Sequence, residues 1–277
     1  MSNSEFQFNF KFKLHKSNIP IGLRDDDYQS LSVAYGVPLE EMMAEVAADE
    51  SSNAEEAALL LEGHPRAASA LRGKRIAFMG DSITSDRRSY FNVIYTALKD
   101  AGVTFYDDSV SAYKLLDVIT NYAAGLRDFH ADAAHLMIGS NDMKLTTDGR
   151  EFLLVQPEEF GRQLRYLLDA LEAGGTKVIV STIPRYDEKK VKEKFWSVNT
   201  GYSEEIRRAY NEVIRREVAQ AGSVLNDMEE TYAGYSTDEL TRDDGLHLNR
   251  LGQRLMANAV LEHIVDACGM QEKGREA

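Results

Sequence analysis

The spacing of apolar residues changes along the chain, and its first part alternates strictly. Phe6, Phe8, Phe10, Phe12 and Leu14 are separated by single polar side chains. Successive side chains of a strand point to opposite faces, so this period of two predicts a strand with one aromatic face. Such a face should pair with another sheet or with another subunit. Pairing with the sheet of a second subunit would make a homodimer. The alternative is a disordered leader.

Residues 25–63 follow a helical pattern instead. Gly36 stands where a helix would stop, and Pro38 stands where the next would begin. The polar run at residues 51–53 is expected to interrupt the second stretch. We therefore predict two or three short helices in this part of the chain.

From residue 66 onward, short apolar runs alternate with amphipathic helices. This order is typical of a parallel sheet covered on both faces, so we predict a three-layer α/β/α domain at residues 66–277 and an extension at residues 1–65. The predicted strands are residues 74–79, 103–106, 133–138, 177–182 and 223–225. The predicted helices are residues 88–100, 113–124, 157–173, 203–221 and 250–267.

Composition agrees with a globular protein, because 43% of the 277 residues are apolar and 28% are charged. The longest purely apolar run, residues 57–61, is far shorter than the roughly 20 residues that cross a bilayer, so we expect no membrane span. Residues 1–16 lack the apolar core of a secretory signal, and the single Cys268 excludes an intramolecular disulfide. These features predict a cytoplasmic protein.

The net charge of −13 is distributed unevenly. Residues 25–62 carry eleven acidic and no basic residues, whereas the rest of the chain carries 34 acidic and 32 basic residues. Residues 31–42 faintly resemble the turn of a helix-turn-helix motif but offer no cation to a phosphate. We therefore expect no nucleic-acid partner.

The first chemically promising loop follows the strand predicted at residues 74–79. The chain breaks at Gly80 and presents Ser82 just before a helix. Free N–H groups and the positive end of the helix dipole favour negative charge on an adjacent oxygen there. Ser82 could equally cap that helix.

Two further loops carry candidate groups. Asn141 lies at the tip of the turn after the third predicted strand, where its amide could donate to an oxyanion or bond its own backbone. Asp244 precedes His247 by three residues across a turn that contains Gly245, so its carboxylate could contact the imidazole Nδ1 and leave Nε2 free as a base. His135 falls within a strand, and we expect it to be a hydrogen-bonded core residue.

Three short blocks at these loops resemble the GDSL, or SGNH, serine hydrolases. They read Gly-Asp-Ser-Ile at residues 80–83, Gly-Ser-Asn-Asp at 139–142 and Asp-Gly-Leu-His at 244–247. The blocks occur in the order that the family shows and span roughly residues 73–267. The conjunction is far more specific than any single block.

The resemblance implies a flavodoxin-like α/β/α fold with Ser82 as nucleophile, His247 as general base and Asp244 as its orienting partner. Asp243 stands at a different spacing and is the weaker candidate for that partner. No cofactor is implied. The sequence also lacks HxxxH, HxH and cysteine pairs, so we expect no metal site.

The resemblance further implies an oxyanion hole formed by the N–H groups of Ser82 and a residue after the second strand, together with the Asn141 amide. The family usually has a glycine at that second position, but this chain has Ala112. An alanine N–H can still donate unless the backbone there needs a positive φ. Asp81 and Trp196 are candidate substrate-binding residues.

We expect a serine esterase that hydrolyses a small-acyl ester, with an acetyl group on a carbohydrate as one candidate. The segment at residues 184–202 carries four aromatic residues, which could form a flap over the site or pin the loop to the core. Arg87 and Arg88 are either solvated helix-start residues or contacts for an anionic substrate. An acyltransferase using the same acyl-enzyme and an inactive binding protein remain the alternatives.

Overall fold

The computed structural model describes residues 27–146, 151–195 and 200–273. The alternating strand predicted at the start of the chain lies outside these residues, and so does the homodimer contact attached to it. Trp196 also lies outside them. These three predictions therefore stay predictions.

The strands in the described residues form two sheets, a central one and a small antiparallel one. They are β1 (Arg75–Gly80), β2 (Thr104–Ser109), β3 (Ala133–Met137), β4 (Leu145–Thr146), β5 (Phe152–Leu153), β6 (Lys177–Ser181), β7 (Thr200–Gly201) and β8 (Val224–Asn226).

Helices surround the central sheet. They are α1 (Tyr28–Tyr35), α2 (Leu39–Gly63), α3 (Ala67–Ala70), α4 (Ser82–Ser85), α5 (Tyr90–Leu98), α6 (Leu115–Asn121), α7 (Arg127–Phe129), α8 (Pro157–Ala173), α9 (Glu188–Phe195), α10 (Glu204–Ala221), α11 (Met228–Thr231), α12 (Thr237–Leu240) and α13 (Arg250–Lys273).

The central sheet has the strand order β2-β1-β3-β6-β8, and all of its neighbouring strands are parallel. This is the doubly wound, flavodoxin-like order. All five predicted strands are present with boundaries shifted by no more than three residues, so the predicted three-layer fold is confirmed. The small sheet, in the order β5-β4-β7, was not predicted because its strands have only two residues each.

Alternate residues of each strand enter two separate cores. Ile76 and Phe78 of β1 pack under α2, α5 and α13, whereas Ala77 and Met79 pack under α6, α8 and α10. Both faces of a parallel sheet are buried in this way, which explains why its strands read as continuous apolar runs. Cys268, on α13, is completely enclosed in the first core.

Helix α2 runs without interruption, so the break predicted at residues 51–53 is wrong. Asn53 donates from Nδ2 to the carbonyl oxygen of Arg87 at 2.9 Å, and Asp49 accepts from Arg88 Nε at 2.6 Å. Glu56 forms an ion pair with Arg254 at 2.6 Å. These contacts with the main domain outweigh the weak helix preference of the polar run.

The helix predicted at residues 113–124 is also different. It begins at Leu115, passes through a π-helical turn at Tyr122–Leu126 and ends in α7.

No helix in the described residues is long and apolar enough to cross a membrane.

Candidate active site

Ser82 is the first residue of α4, directly after the carboxyl end of β1. A Cβ at Gly80 would approach the carbonyl oxygen of Met137 to 2.7 Å, so this close turn requires glycine. Asp81 is the N-cap of α4, and its Oδ1 accepts from the N–H of Ile83 at 3.0 Å. We call residues 81–89 the Ser82 loop. The observed N-cap of this helix is therefore Asp81, so the alternative in which Ser82 caps the helix is wrong.

His247 lies in the connection between α12 and α13, which we call the His247 loop (residues 242–248). Asp244 Oδ1 accepts from the N–H groups of Leu246 and His247, at 2.9 Å each, and so closes the turn. Gly245 has a φ of 73°, and a Cβ there would lie 2.6 Å from the Cβ of Lys190. Glycine is therefore the only residue that fits this turn without strain.

The two loops bring three side chains into one hydrogen-bonded chain. His247 Nδ1 lies 2.7 Å from Asp244 Oδ2, and His247 Nε2 lies 3.0 Å from Ser82 Oγ. All three residues are at most 9% exposed. Burial disfavours the Asp244 carboxylate, but attraction to His247 and hydrogen bonds from its ring and from the backbone hold the pKa of Asp244 well below its usual value. The carboxylate is therefore ionised at neutral pH and holds the proton of the imidazole on Nδ1.

Three possible oxyanion donors come from the ends of three neighbouring strands. Ser82 follows β1, Ala112 follows β2 and Asn141 follows β3. In the described parts of the chain, the N–H groups of Ser82 and Ala112 have no hydrogen-bond acceptor. Asn141 donates from Nδ2 to the carbonyl oxygen of Tyr113 at 3.0 Å. This hydrogen bond joins the loop after β3 to the loop after β2. An amide nitrogen has two N–H bonds, so a second one remains for a ligand.

Ala112 has a φ of 71°, which is the left-handed region that favours glycine. A glycine would adopt this conformation without a steric penalty, whereas the Cβ of an alanine makes it costly. The side chain is exposed, so its methyl group does not force the loop away.

Replacing Ala112 by glycine should raise the free energy of unfolding by about 0.5–1 kcal/mol, because relief of the left-handed strain exceeds the entropy that glycine adds to the unfolded chain. Urea denaturation measures this change. Ala47→Gly, at an exposed position within α2, is the control and should lower the free energy of unfolding by a similar amount. Equal destabilisation by both substitutions would contradict the strain at Ala112.

Two further carboxyl groups lie buried beside this site. Burial raises the pKa of Asp81 to about 6, although the Ile83 N–H and the charges of His247 and Lys144 oppose the shift. Burial raises the pKa of Asp142 to about 7, opposed by the hydrogen bond from Leu115 N–H and reinforced by the charge of Asp81. Complete burial and the capping bond do not favour direct contact between Asp81 and a substrate, so that role stays a prediction.

The raised pKa of Asp142 makes stability depend on pH. The carboxyl group is ionised above about pH 4 when the chain is unfolded but only above about pH 7 when it is folded, so wild-type stability falls as the pH rises between these values. Asp142→Asn removes the part of this fall that comes from Asp142, while the part from Asp81, whose pKa is raised to about 6, remains. Because a tenfold change in an equilibrium constant corresponds to about 1.4 kcal/mol, the variant should gain on the order of 2–4 kcal/mol relative to wild type between pH 5 and pH 8.

Chemical denaturation at several pH values tests this difference, with the exposed Asp128→Asn as control. A wild-type pH profile that Asp142→Asn leaves unaltered would show that Asp142 ionises normally in the folded protein.

His135 lies in β3 and is completely buried, as expected for a core residue. Its Nδ1 contacts the Tyr90 hydroxyl at 3.0 Å and its Nε2 contacts Ser181 Oγ at 2.8 Å, so the prediction of a hydrogen-bonded core residue is confirmed. Burial lowers the pKa of His135 to about 3, and the ring is therefore neutral.

The aromatic and arginine predictions have mixed outcomes. Tyr186 and Tyr202 are buried in the second core, with their ring centroids 5.3 Å apart, so these two residues attach the chain at positions 186 and 202 to the core. Arg88 is more than a solvated helix-start residue, because it forms an ion pair with Asp49 of α2 at 2.6 Å, and a contact with an anionic substrate stays a prediction. No group of three potential metal ligands occurs among the residues that the structure describes.

Comparison with known proteins places the chain in a class of enzymes. A profile of the GDSL-like Lipase/Acylhydrolase family matches residues 78–255, and this match together with the fold defines a hydrolase. The chain belongs to the GDSL-like lipase/acylhydrolase family, as the three sequence blocks predicted. No curated protein matches it significantly.

Several solved structures have a similar fold. A lipase/acylhydrolase from Enterococcus faecalis has a TM-score of 0.56 and 18% identity, and the match covers 70% of this chain and 96% of that one. The acetyl xylan esterase AlAXEase has a TM-score of 0.55 and 20% identity, with coverage of 69% and 99%. An acetylxylan esterase from Geobacillus stearothermophilus has a TM-score of 0.54 and 18% identity, with coverage of 70% and 94%. At these identities the likeness shows the shared fold.

Proposed function

We propose that the protein is a serine esterase that hydrolyses small-acyl esters through a triad of Ser82, His247 and Asp244. The observation that carries this proposal is the continuous chain of contacts from Asp244 Oδ2 through His247 to Ser82 Oγ, at 2.7 and 3.0 Å. A hydroxyl, an imidazole and a carboxylate in this order are the parts of a nucleophile activated by a general base.

The geometry supports a two-step reaction. His247 Nε2 accepts the Ser82 proton while Ser82 Oγ attacks the ester carbonyl. The N–H groups of Ser82 and Ala112 and the Asn141 amide then bind the tetrahedral oxyanion, and His247 returns the proton to the leaving alcohol. Water repeats the sequence on the acyl-enzyme, releases the carboxylic acid and regenerates Ser82.

Asn141→Ala should lower kcat by about 10²- to 10³-fold, because one oxyanion donor is lost in a buried site. Steady-state hydrolysis of a p-nitrophenyl ester measures this loss. Asn121→Ala is a suitable control, since Asn121 also donates an amide hydrogen, to the Tyr113 hydroxyl at 3.0 Å, but lies at the far end of α6. If Asn141→Ala keeps full turnover, its amide is not part of the oxyanion hole.

Two observations favour a small acyl group. The residues of the proposed triad are at most 9% exposed, which favours access by a compact acyl group. Two of the structural neighbours are acetyl xylan esterases. An acetyl ester on a carbohydrate is therefore our preferred substrate class.

A series of p-nitrophenyl esters from acetate to octanoate tests the proposal, with Ser82→Ala as the blank and a fluorophosphonate probe as an independent label for Ser82. We expect kcat/KM to fall as the acyl chain lengthens. A preference for octanoate would overturn the small-acyl assignment, and absence of both hydrolysis and labelling would overturn the esterase itself. Product analysis with an added alcohol separates hydrolysis from acyl transfer.

A further inference from the structure

A buried ion pair joins the Ser82 loop to the His247 loop at a point outside the proposed triad. Arg242 Nη2 lies 2.7 Å from Asp86 Oδ2. The Asp86 side chain is 1% exposed and that of Arg242 is 23% exposed. The contact therefore lies largely in the protein interior, where the attraction between charges is stronger than in water.

The backbone of each partner is bonded directly to a residue of the proposed triad. The N–H of Asp86 donates to the carbonyl oxygen of Ser82 at 3.1 Å, and the N–H of Arg242 donates to the carbonyl oxygen of His247 at 2.8 Å. The ion pair thus closes a ring that contains the Ser82 Oγ to His247 Nε2 contact. A change in the separation of the two charges must be transmitted to that contact or absorbed by strain.

Asp86 has little freedom to move. Its Oδ1 accepts from the N–H of Arg88 at 2.8 Å, and its carbonyl oxygen accepts from Asn92 Nδ2 at 2.7 Å. Its Oδ2 has no aligned hydrogen-bond donor among the described residues, so the contact with Arg242 is primarily electrostatic. Removing the arginine would leave a buried carboxylate without its counter-charge.

The acidic helix α2 reinforces the same loop from outside. Arg88 Nε donates to Asp49 Oδ1 at 2.6 Å, and the Arg87 carbonyl oxygen accepts from Asn53 Nδ2 at 2.9 Å. Asp49, Arg88 and Arg242 line one cavity of about 370 Å³ between α2 and the main domain. The extension therefore contacts the loop that carries Ser82.

We propose that Asp86 and Arg242 are positioning residues that hold Ser82 Oγ within hydrogen-bonding distance of His247 Nε2, and that α2 braces this pair through Asp49 and Arg88. This proposal rests on the proposed esterase function. It assigns the acidic extension a part in the geometry of the site, through its contacts with Arg87 and Arg88.

The test uses Asp86→Asn, Arg242→Gln and the double variant in the full-length protein. A displacement of about 1 Å at reacting atoms costs up to about 10²-fold in rate. We expect each single variant to lower kcat by about 10- to 100-fold with KM within about twofold, and the rate of fluorophosphonate labelling of Ser82 to fall by the same factor. Because both substitutions break one contact, the double variant should be no slower than the slower single variant.

Arg165→Gln and Glu217→Gln are the matched controls. These residues form an ion pair of 2.9 Å between α8 and α10, with side chains 25% and 9% exposed, at a distance from both loops along the chain. We expect their kcat to stay within about twofold of wild type. Arg242→Lys keeps the positive charge, so we expect it to lose less kcat than Arg242→Gln. A purely structural role would not require this difference.

The outcomes distinguish the two proposals. Folded Asp86→Asn and Arg242→Gln with wild-type kcat, or an equal loss in the Arg165 and Glu217 variants, would overturn the positioning role. Should the buried variants fail to fold, Asp49→Asn and Arg88→Gln test the outer contact, and unchanged kcat in both would overturn the proposal. A wild-type protein that neither hydrolyses esters nor labels at Ser82 would instead overturn the esterase function.

Discussion

Ser82→Ala should lower kcat/KM for p-nitrophenyl acetate by about 10⁴- to 10⁶-fold while the protein remains folded. The alanine removes the hydroxyl that contacts His247 Nε2 at 3.0 Å, so no acyl-enzyme can form. The substitution removes a single oxygen from α4 and leaves the Asp81 cap of that helix in place. Circular dichroism and the denaturation midpoint should therefore resemble those of wild type.

Ser85→Ala is the matched control for this experiment. Ser85 lies on the same short helix and is completely buried, and its Oγ has no partner in the described structure. Removing such a hydroxyl should leave turnover near wild type, because no hydrogen bond is broken. If Ser82→Ala retained more than a few per cent of the wild-type activity, Ser82 would not be the nucleophile.

Asp244→Asn should lower kcat by about 10⁴-fold, because the substitution would stabilise the His247 tautomer that carries its proton on Nε2. Oδ1 of Asp244 accepts from two backbone N–H groups, so the single oxygen of an asparagine would be held there. The amide nitrogen would then face His247 Nδ1 and donate to it. That forces the imidazole proton onto Nε2, where it blocks acceptance of the Ser82 proton.

Asp243→Asn provides the comparison, since Asp243 is exposed and is the adjacent acid that the sequence left as the weaker candidate. It should retain wild-type kcat. The pH profile gives a second measurement, because Asp244→Asn should recover rate only at high pH, where hydroxide can replace the lost base. Similar losses in both variants would remove Asp244 from the triad.

The fold could be predicted because its information is local. The inner strands β1, β3 and β6 are almost completely buried and read as short apolar runs, and helices that cover the sheet begin at recognisable signals such as Pro157 and Ser203. The site residues could be proposed because Ser82, Asn141 and His247 each lie in a short sequence block that resembles one of the family's blocks. Their convergence, with Ser82 and His247 165 positions apart, follows once the strand order is known.

The remaining features depend on contacts between distant residues. The continuity of α2 depends on Asn53 and Asp49 meeting the loop at Arg87 and Arg88, which no local pattern indicates. The positive φ of Ala112 is a property of the loop path. The sequence does not indicate it, because alanine rarely adopts a positive φ. The Asp86–Arg242 pair was missed for the same reason, although an aspartate four residues after the candidate serine is a signal that the sequence does carry.

The strand order also sets the dimensions of the proposed oxyanion hole. Ala112, Ser82 and Asn141 follow three strands that are neighbours in the sheet, and adjacent strands repeat at about 4.8 Å. The spacing of the strands therefore fixes the spacing of the three proposed donors. Ala112 and Asn141 follow the strands on either side of the strand that precedes Ser82. The outer parts of these connections can lengthen or change composition as substrate preference diverges, while the spacing of the donors beneath them is preserved.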